Sequence, residues 1–178
     1  LSGMDTPSLG RITFGDRVIS ELDSDALAVF RRRACGFVFQ QVYLIEGMSV
    51  MDNILAAGLL VNRDRKALVR RAGGLLRAQR VGIVRGLINS PQILFADEPT
   101  GALNSQTGLD VLDTITSFNR QGQSVVMVTH DMRSARRGNR ILYLKDGAVL
   151  GECDLGKYVP GDRERHEKLS AFLKEMGW

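Results

Sequence analysis

The chain has 178 residues, of which 44% are hydrophobic and 6% aromatic, and its formal net charge is +4. This length predicts one sizeable hydrophobic core, or one domain with a small appendage. The mild charge excess and the scattered arginines argue against a dedicated nucleic-acid-binding protein. Two distant cysteines, Cys35 and Cys153, exclude a disulfide framework and a cysteine metal knuckle, which fits a reducing cytosol. The longest apolar runs fall well short of the about 20 residues that a membrane span needs.

The N-terminal part predicts a hairpin, a helix and one buried strand, in that order. Apolar and polar residues alternate on both sides of Gly15–Asp16, which is a hairpin signal. Ser24 is predicted to cap a helix that ends before Gly36. The segment CGFVFQ (35–40) is predicted to be a short buried strand, and an irregular stretch follows it.

The next part of the chain predicts a helical region. Ser49 opens a segment whose apolar residues recur at the 3.6-residue spacing of a helix. The charged run from Asn62 is predicted to continue this helix to about Leu76. Residues 77–89 repeat valine and isoleucine at helical spacing, which predicts a further helix.

The second half of the chain predicts two apolar strands joined by a helix. Strand 92–96, helix 105–120 and strand 124–129 form a βαβ unit. Nearly continuous apolar strands are typical of a parallel sheet that helices cover on both faces. The predicted fold class is therefore α/β, with an antiparallel portion near the N-terminus.

The C-terminal part predicts a short helix, a second hairpin and a final helix. The hairpin turns at Lys145-Asp146-Gly147. The final helix places Leu169, Phe172, Leu173 and Met176 on one face. We expect this apolar stripe to pack on its own domain rather than on a partner.

Polar side chains follow both apolar strands at the points where the strands end. Asp97 and Glu98 follow the first strand, and Thr129, His130 and Asp131 follow the second. In open parallel sheets, ligands bind outside the carboxyl ends of the strands. Taken alone, an acidic pair here is as compatible with a helix cap or a solvent-facing surface, and a lone histidine is more often structural.

The combination of these residues fits phosphoryl transfer to water. Side chains alternate along a strand, so Asp97 and Glu98 should point in different directions. One carboxylate can then hold Mg²⁺ through water while its neighbour addresses the reacting group. The reaction needs a metal, a group that positions or deprotonates water, and donors to the γ-phosphate. Asp97, Glu98 and His130 suit these three roles.

Three segments resemble motifs of the ATP-binding cassette (ABC) ATPases, and they occur in that family's order. GFVFQQVYLIEGMSVMDNI (36–54) resembles the Q-loop and the entry to the helical subdomain. ILFADEPTGALNS (93–105) resembles the Walker B segment with the D-loop, and VVMVTHD (125–131) resembles the H-loop. LINSPQILFADEPTGAL (87–103) resembles the branch that serves lipoprotein-release, macrolide and antimicrobial-peptide transporters. The resemblance runs from about residue 1 to residue 152.

The resemblance implies roles for individual residues, with ATP and Mg²⁺ as substrate and cofactor. Asp97 would order the Mg²⁺, and Glu98 would polarise the attacking water. His130 would contact the γ-phosphate, and Gln40 would link the metal and the water to the helical subdomain. Asn104 ends a D-loop that would lie along a dimer interface, where the family usually has aspartate.

Two elements of the family do not occur in the sequence. No G-x-x-x-x-G-K-[ST] is present, so the chain is expected to begin just after the P-loop helix. The signature stretch, which ends Leu-Ser-Gly-Gly, normally lies just before residues such as Arg77, so we expect residues to be missing between Leu76 and Arg77. Gly73-Gly74 are not the signature, because they precede two leucines and lack the serine. The printed residues alone are expected to be inactive.

The resemblance implies a P-loop NTPase-type, mostly parallel sheet flanked by helices. An ABC ATPase domain would span 1–152, with a helical subdomain at about 41–90 and a C-terminal helical extension at 153–178. The chain would be an ATPase that works as a homodimer against membrane permease subunits, at the cytoplasmic face of the cell membrane. Its cargo would be an antimicrobial peptide, a macrolide or a lipoprotein, and no nucleic acid is expected as a partner.

Two alternatives remain open at this point. One is a soluble ABC-type protein that acts on ribosomes or DNA, although such proteins usually carry two cassettes or long insertions. The other is a non-hydrolytic or regulatory protein of the same fold, which the absence of the P-loop favours.

Overall fold

A computed structural model describes residues 2–76 and 81–178 of the chain. The contacts divide the chain into two compact units, Leu1–Met127 and Val128–Trp178. We call them the first unit and the second unit. The division of the sequence into 1–152 and 153–178 stays a prediction.

The first unit opens with the predicted hairpin. Strands β1 (Thr13–Phe14) and β2 (Arg17–Val18) pair antiparallel, which confirms the turn at Gly15–Asp16. Helix α1 (Ser24–Ala34) follows, and the predicted cap is wrong by one residue. Asp23 caps the helix because its carboxylate accepts from the Ala26 amide at 2.7 Å. Aspartate and serine are about equally good at this position, so the sequence does not separate them.

Strand β3 (Cys35–Phe39) leads to helix α2 (Val50–Leu59), which Ser49 caps as predicted by accepting from the Asp52 amide at 3.1 Å. The expected continuation of α2 through Asn62 is wrong. The amides of Val61 and Asn62 both donate to the Gly58 carbonyl, which turns the chain.

Helix α3 (Arg65–Leu76) is therefore a separate helix, which Asp64 opens by accepting from the Ala67 amide at 2.9 Å. Helix α4 (Val81–Leu87) packs with α2 and α3 around a shared apolar cluster. The fully buried members of this cluster are Ile54, Leu55, Leu68, Ala72, Val84 and Ile88. These three helices correspond to the helical region that the spacing predicted.

The predicted βαβ unit forms strand β4 (Ile93–Asp97), helix α5 (Ser105–Arg120) and strand β5 (Ser124–Val128). The strands lie in the order β3-β4-β5, and β3 pairs with β4 in parallel. The core beside the sheet is formed by Val38, Ile83, Leu87, Leu94, Ala96, Val111 and Ile115. The predicted α/β class is confirmed.

The second unit contains α6 (Met132–Ala135), β6 (Arg140–Lys145), β7 (Ala148–Asp154) and α7 (Arg163–Glu175). Strands β6 and β7 pair antiparallel around Asp146–Gly147, as predicted.

The apolar stripe of α7 packs within its own unit, which confirms that prediction. Leu169 is fully buried and Leu173 nearly so. Phe172 and Met176 close over Gly151 of β7, where an added Cβ would lie 2.6 Å from the Met176 sulfur. None of the helices within 2–76 and 81–178 has the length and apolar character that a membrane crossing requires.

Candidate functional site

The apolar strand β4 carries a carboxylate to the surface at its last residue. Leu94 and Ala96 are buried, and Asp97 is exposed. Because Leu94 and Ala96 share one face of a pleated strand, packing on that face fixes the register of the whole strand. The position of Asp97 is therefore set by the core beneath it.

Glu98 turns the chain out of the strand. Its φ is 43°, in the left-handed region that costs a non-glycine residue about 1 kcal/mol. The Glu98 carbonyl accepts from the Gly101 amide at 3.0 Å, which closes a turn around the buried Pro99. Strained backbone of this kind concentrates at functional positions.

The register of the sheet brings Gln40 to the same edge as the two carboxylates. Phe39 is the partner of Asp97 across the parallel β3–β4 pair, and Gln40 is the next residue. A Cβ added to Gly101 would lie only 2.6 Å from Gln40 Nε2. The Gln40 amide therefore packs against the turn that Glu98 begins. The structure brings together Gln40, Asp97 and Glu98.

Two side chains that the sequence analysis did not single out hold the segment after Gln40. Arg85 of α4 donates to the Tyr43 carbonyl at 2.9 Å and also to the Val42 carbonyl. Burial lowers the pKa of this half-buried guanidinium from its usual value. A lone arginine in the apolar sequence VGIVRGL was the available signal.

Asn53 of α2 is the second of these side chains and is only 2% exposed. It accepts from the Ile45 amide at 2.7 Å and donates to the Met48 and Ser49 carbonyls at 3.3 and 3.1 Å. Arg85 and Asn53 thus fix the backbone of 42–49 to the helical region.

Asn104 begins helix α5. Its side-chain oxygen accepts from the Thr107 amide at 2.9 Å, and its carbonyl accepts from the Gly108 amide at 2.8 Å. An aspartate here would offer the same oxygen to the helix. The side chain itself is exposed.

His130 belongs to the second unit and is exposed. The next residue, Asp131, caps α6 by accepting from the Ser134 amide at 3.1 Å and the Ser134 hydroxyl at 2.8 Å. Burial alone would raise the pKa of Asp131, but these bonds and those from Arg133 outweigh it, so the pKa lies below its usual value. The proximity of His130 to the first three site residues stays a prediction. The predicted signature flank, Arg77, lies outside the described residues.

The donor set at the strand ends suits a hard cation. Asp97 offers a carboxylate and Gln40 an amide oxygen, and Mg²⁺ prefers oxygen ligands, taking one or two carboxylates beside waters and substrate phosphates. Within the described part of the chain, no group of three or more histidine, cysteine, aspartate or glutamate residues could hold a metal by itself. The residues present therefore fit Mg²⁺ as an ion that would be shared with a phosphate ligand.

Comparison with known proteins identifies the family. An uncharacterized ABC transporter ATP-binding protein of Methanocaldococcus jannaschii, MJ1508, is 33% identical over 169 residues, which cover 84% of this chain and 75% of that protein. The chain belongs to the family of ABC ATP-binding cassettes. This confirms the family that the three motifs indicated.

Solved structures of the cassette MJ0796 have the same fold. One, described as the dimeric structure of a bacterial ABC transporter cassette, has a TM-score of 0.80 and 34% identity, covering 88% of this chain and 78% of that chain. Another, a dimeric post-hydrolysis state bound to ADP and Pi, has a TM-score of 0.77 and 31% identity over the same shares. The predicted ABC ATPase fold is confirmed.

The cassette also resembles part of longer proteins. Macrolide export ATP-binding/permease proteins of Sodalis glossinidius and Aeromonas hydrophila are 38% and 40% identical over 171 residues. The chain spans 26% of the length of each. No family model matches the chain.

Proposed function

We propose that this cassette is the ATP-hydrolysing part of an ABC transporter. The observation that carries the proposal is the meeting of Gln40, Asp97 and Glu98 at the ends of two parallel strands, with Gln40 packed against the turn at Gly101. Membership of the ABC family supports ATP as the substrate. The relatives that are named as ABC transporter proteins support transport as the purpose.

The residues divide the work of hydrolysis. Asp97 and Gln40 would hold Mg²⁺, which would supply positive charge to offset the negative charge of the ATP phosphates. Glu98 orients the attacking water and polarises it by accepting a hydrogen bond from it. Asp97 is the last residue of the extended strand β4 and Glu98 has a left-handed backbone, so the two neighbours differ in backbone conformation. One pair of neighbouring residues can therefore address both the metal and the water.

His130 and a second copy of the cassette complete the site. The His130 imidazole contacts the γ-phosphate, and the signature of the partner cassette faces it from the other side. Two copies then form two composite sites, which ATP binding closes and hydrolysis reopens. The dimeric structures of the MJ0796 cassette support this arrangement.

The segment after Gln40 is the proposed surface for a membrane permease. Five of its apolar side chains are between 40% and 68% exposed: Val42, Tyr43, Leu44, Ile45 and Met48. Contiguous exposed apolar groups mark protein interaction sites. Arg85 and Asn53 hold the backbone of this segment, which follows Gln40 in the chain. We therefore propose that the cassette works at the cytoplasmic face of a membrane. The macrolide export relatives support export of a macrolide. An antimicrobial peptide or a lipoprotein as cargo rests on the resemblance of residues 87–103 alone.

The test is ATP hydrolysis by the full-length protein that contains this chain, compared with its Glu98→Gln variant. We expect the variant to lose at least about 100-fold in kcat, because the amide cannot act as a base toward water, while ATP binding persists. The matched control is Glu21→Gln, which removes an exposed carboxylate paired only with Arg11 at 3.2 Å in the described ion pairs. Undiminished hydrolysis by Glu98→Gln would contradict the role of Glu98.

The same assay separates the alternatives. Stimulation by membranes that contain the permease supports the transporter. Stimulation by ribosomes or DNA instead would indicate the soluble ABC-type protein. Absence of hydrolysis in the full-length protein, with or without the permease, would indicate the non-hydrolytic protein.

A further inference from the structure

Arg165 of helix α7 is buried, with only 3% of its surface exposed. One edge of its guanidinium donates from Nε to the Arg136 carbonyl at 2.7 Å and from Nη2 to the Gly138 carbonyl. The other nitrogen, Nη1, donates to the Leu155 carbonyl at 2.7 Å and to the Gly156 carbonyl at 3.2 Å. One planar side chain therefore joins α7 to two separate backbone segments.

The first of these segments ends the short helix that follows His130. Arg136 is the C-terminal cap of α6, and the Gly138 amide donates to the Ala135 carbonyl at 2.9 Å. Asp131 closes the opposite end of α6 through its bonds to the buried Ser134. His130 thus precedes one turn of helix that Asp131 fixes at its start and Arg165 fixes at its end.

A second contact between the tail and this segment supports the same connection. The ring of Tyr158, from the connection between β7 and α7, lies against two guanidinium groups. Arg137 is 4.6 Å from the ring centroid and Arg165 is 5.5 Å from it. Cations in this position are attracted by the face of an aromatic ring.

We propose that the C-terminal helix positions His130 through Arg165. The proposal rests on the role given above to His130 in ATP hydrolysis. Without the guanidinium, the carbonyls of Arg136 and Gly138 lose charged donors in a buried place, and the end of α6 must rearrange to satisfy them. Because α6 is one turn long, its rearrangement moves the residue that precedes it. Arg165 is a positioning residue, and α7 sets the geometry of hydrolysis.

The test measures His130 directly by NMR in the nucleotide-free, full-length protein. Replacing His166 by glutamine leaves His130 as the one histidine of the printed sequence. We expect Arg165→Met to shift the ring resonances of His130 and to lower kcat by about 10-fold or more, since small displacements of a catalytic group are costly. The KM for ATP should change by less than about twofold, because the contact to the γ-phosphate matters most in the transition state.

Two further variants are compared with Arg165→Met: Arg165→Lys is the conservative substitution, and Lys168→Met is the matched control. A lysine at 165 keeps the charge, but a single ammonium cannot span both backbone segments, so we expect the His130 shift to persist in part. Lys168 lies on the same helix and donates to the Asp154 carbonyl at 2.6 Å, away from the end of α6. Lys168→Met therefore removes one charge and one bond of the tail and should leave the His130 resonances and kcat unchanged.

Unchanged His130 resonances in a folded Arg165→Met protein would overturn the proposal. If that variant does not fold, unchanged resonances in Arg165→Lys would overturn it in the same way. If the unsubstituted protein does not hydrolyse ATP, the proposed function fails, but the His130 resonances still decide whether α7 positions this residue.

Discussion

Asn104 stands where the family usually has aspartate, and its side chain explains how the exchange is tolerated. A helix start needs an oxygen that accepts from a backbone amide, and the Asn104 side chain supplies it to Thr107 at 2.9 Å. Asparagine and aspartate are about equally good at this task. The exchange therefore keeps the start of α5 and removes one negative charge from the proposed dimer interface.

This interpretation predicts different results for two substitutions of Asn104. Asn104→Ala should lower the free energy of unfolding by about 1 kcal/mol, because the Thr107 amide loses its acceptor. Asn104→Asp should change it by no more than about 0.5 kcal/mol, since the cap remains. Urea unfolding of both variants measures the difference. Equal losses in the two variants would show that the cap does not stabilise α5.

Residues with a recurrent local pattern were predictable from the sequence, and residues that act over long separations were not. The hairpin at Gly15–Asp16 and the Ser49 cap depend on neighbours within a few positions. Arg85, in contrast, holds carbonyls more than 40 residues earlier in the chain. The sequence around an arginine does not indicate which distant carbonyls it will bind. The role of Arg85 could therefore be identified only from the structure.

Between elements, the close approach of α4 to β3 positions the strand that ends just before Gln40. A Cβ added to Gly36 of β3 would lie 2.2 Å from the Gly86 carbonyl oxygen of α4. A Cβ added to Gly86 would lie 2.9 Å from the Phe37 carbonyl oxygen. The backbones of α4 and β3 are therefore in direct contact. The obstructing atoms are backbone oxygens, so room for a Cβ can be made only by shifting the whole helix or the whole strand.

A pair of glycine substitutions separates this packing from the geometry of the site. Gly36→Ala should lower the free energy of unfolding by about 1–3 kcal/mol, because a backbone oxygen is in the way. Gly101→Ala should cost less, because the obstructing atom is Nε2, at the flexible end of Gln40. It should instead displace that amide and lower the rate of ATP hydrolysis. Thermal unfolding and steady-state kinetics of both variants test this, and a Gly101→Ala protein with normal hydrolysis would contradict the role of Gln40.

The order of helices and strands was predictable from the periodicity of the sequence, but the break between α2 and α3 was not. The run from Asn62 to Leu76 is polar and charged throughout its first part, so no apolar residue marks where α2 ends. The break arises because Gly58 packs against Leu68, with an added Cβ only 2.9 Å from that side chain, and the two helices must fold onto each other. The turn is thus set by packing between helices.

For the whole molecule, the proposed function makes Gln40, Asp97 and Glu98 one half of a composite centre. These three residues would address the metal and the water, and the signature would come from a second copy. If ATP is held between two copies as proposed, it stabilises their association, so association should follow the chemical state of the nucleotide. The substitution that stops hydrolysis therefore also tests assembly.

We expect the Glu98→Gln variant of the full-length protein to form a stable dimer in ATP and to remain monomeric in ADP. The amide leaves the ATP intact, and the γ-phosphate then continues to bridge the two copies. In the unsubstituted protein the dimer should be short-lived, because hydrolysis removes the bridge. Light scattering coupled to size-exclusion chromatography in each nucleotide measures the mass. A Glu98→Gln protein that binds ATP to saturation and stays monomeric would contradict the composite site, while leaving the strand-end geometry of Gln40 and Asp97 unaffected.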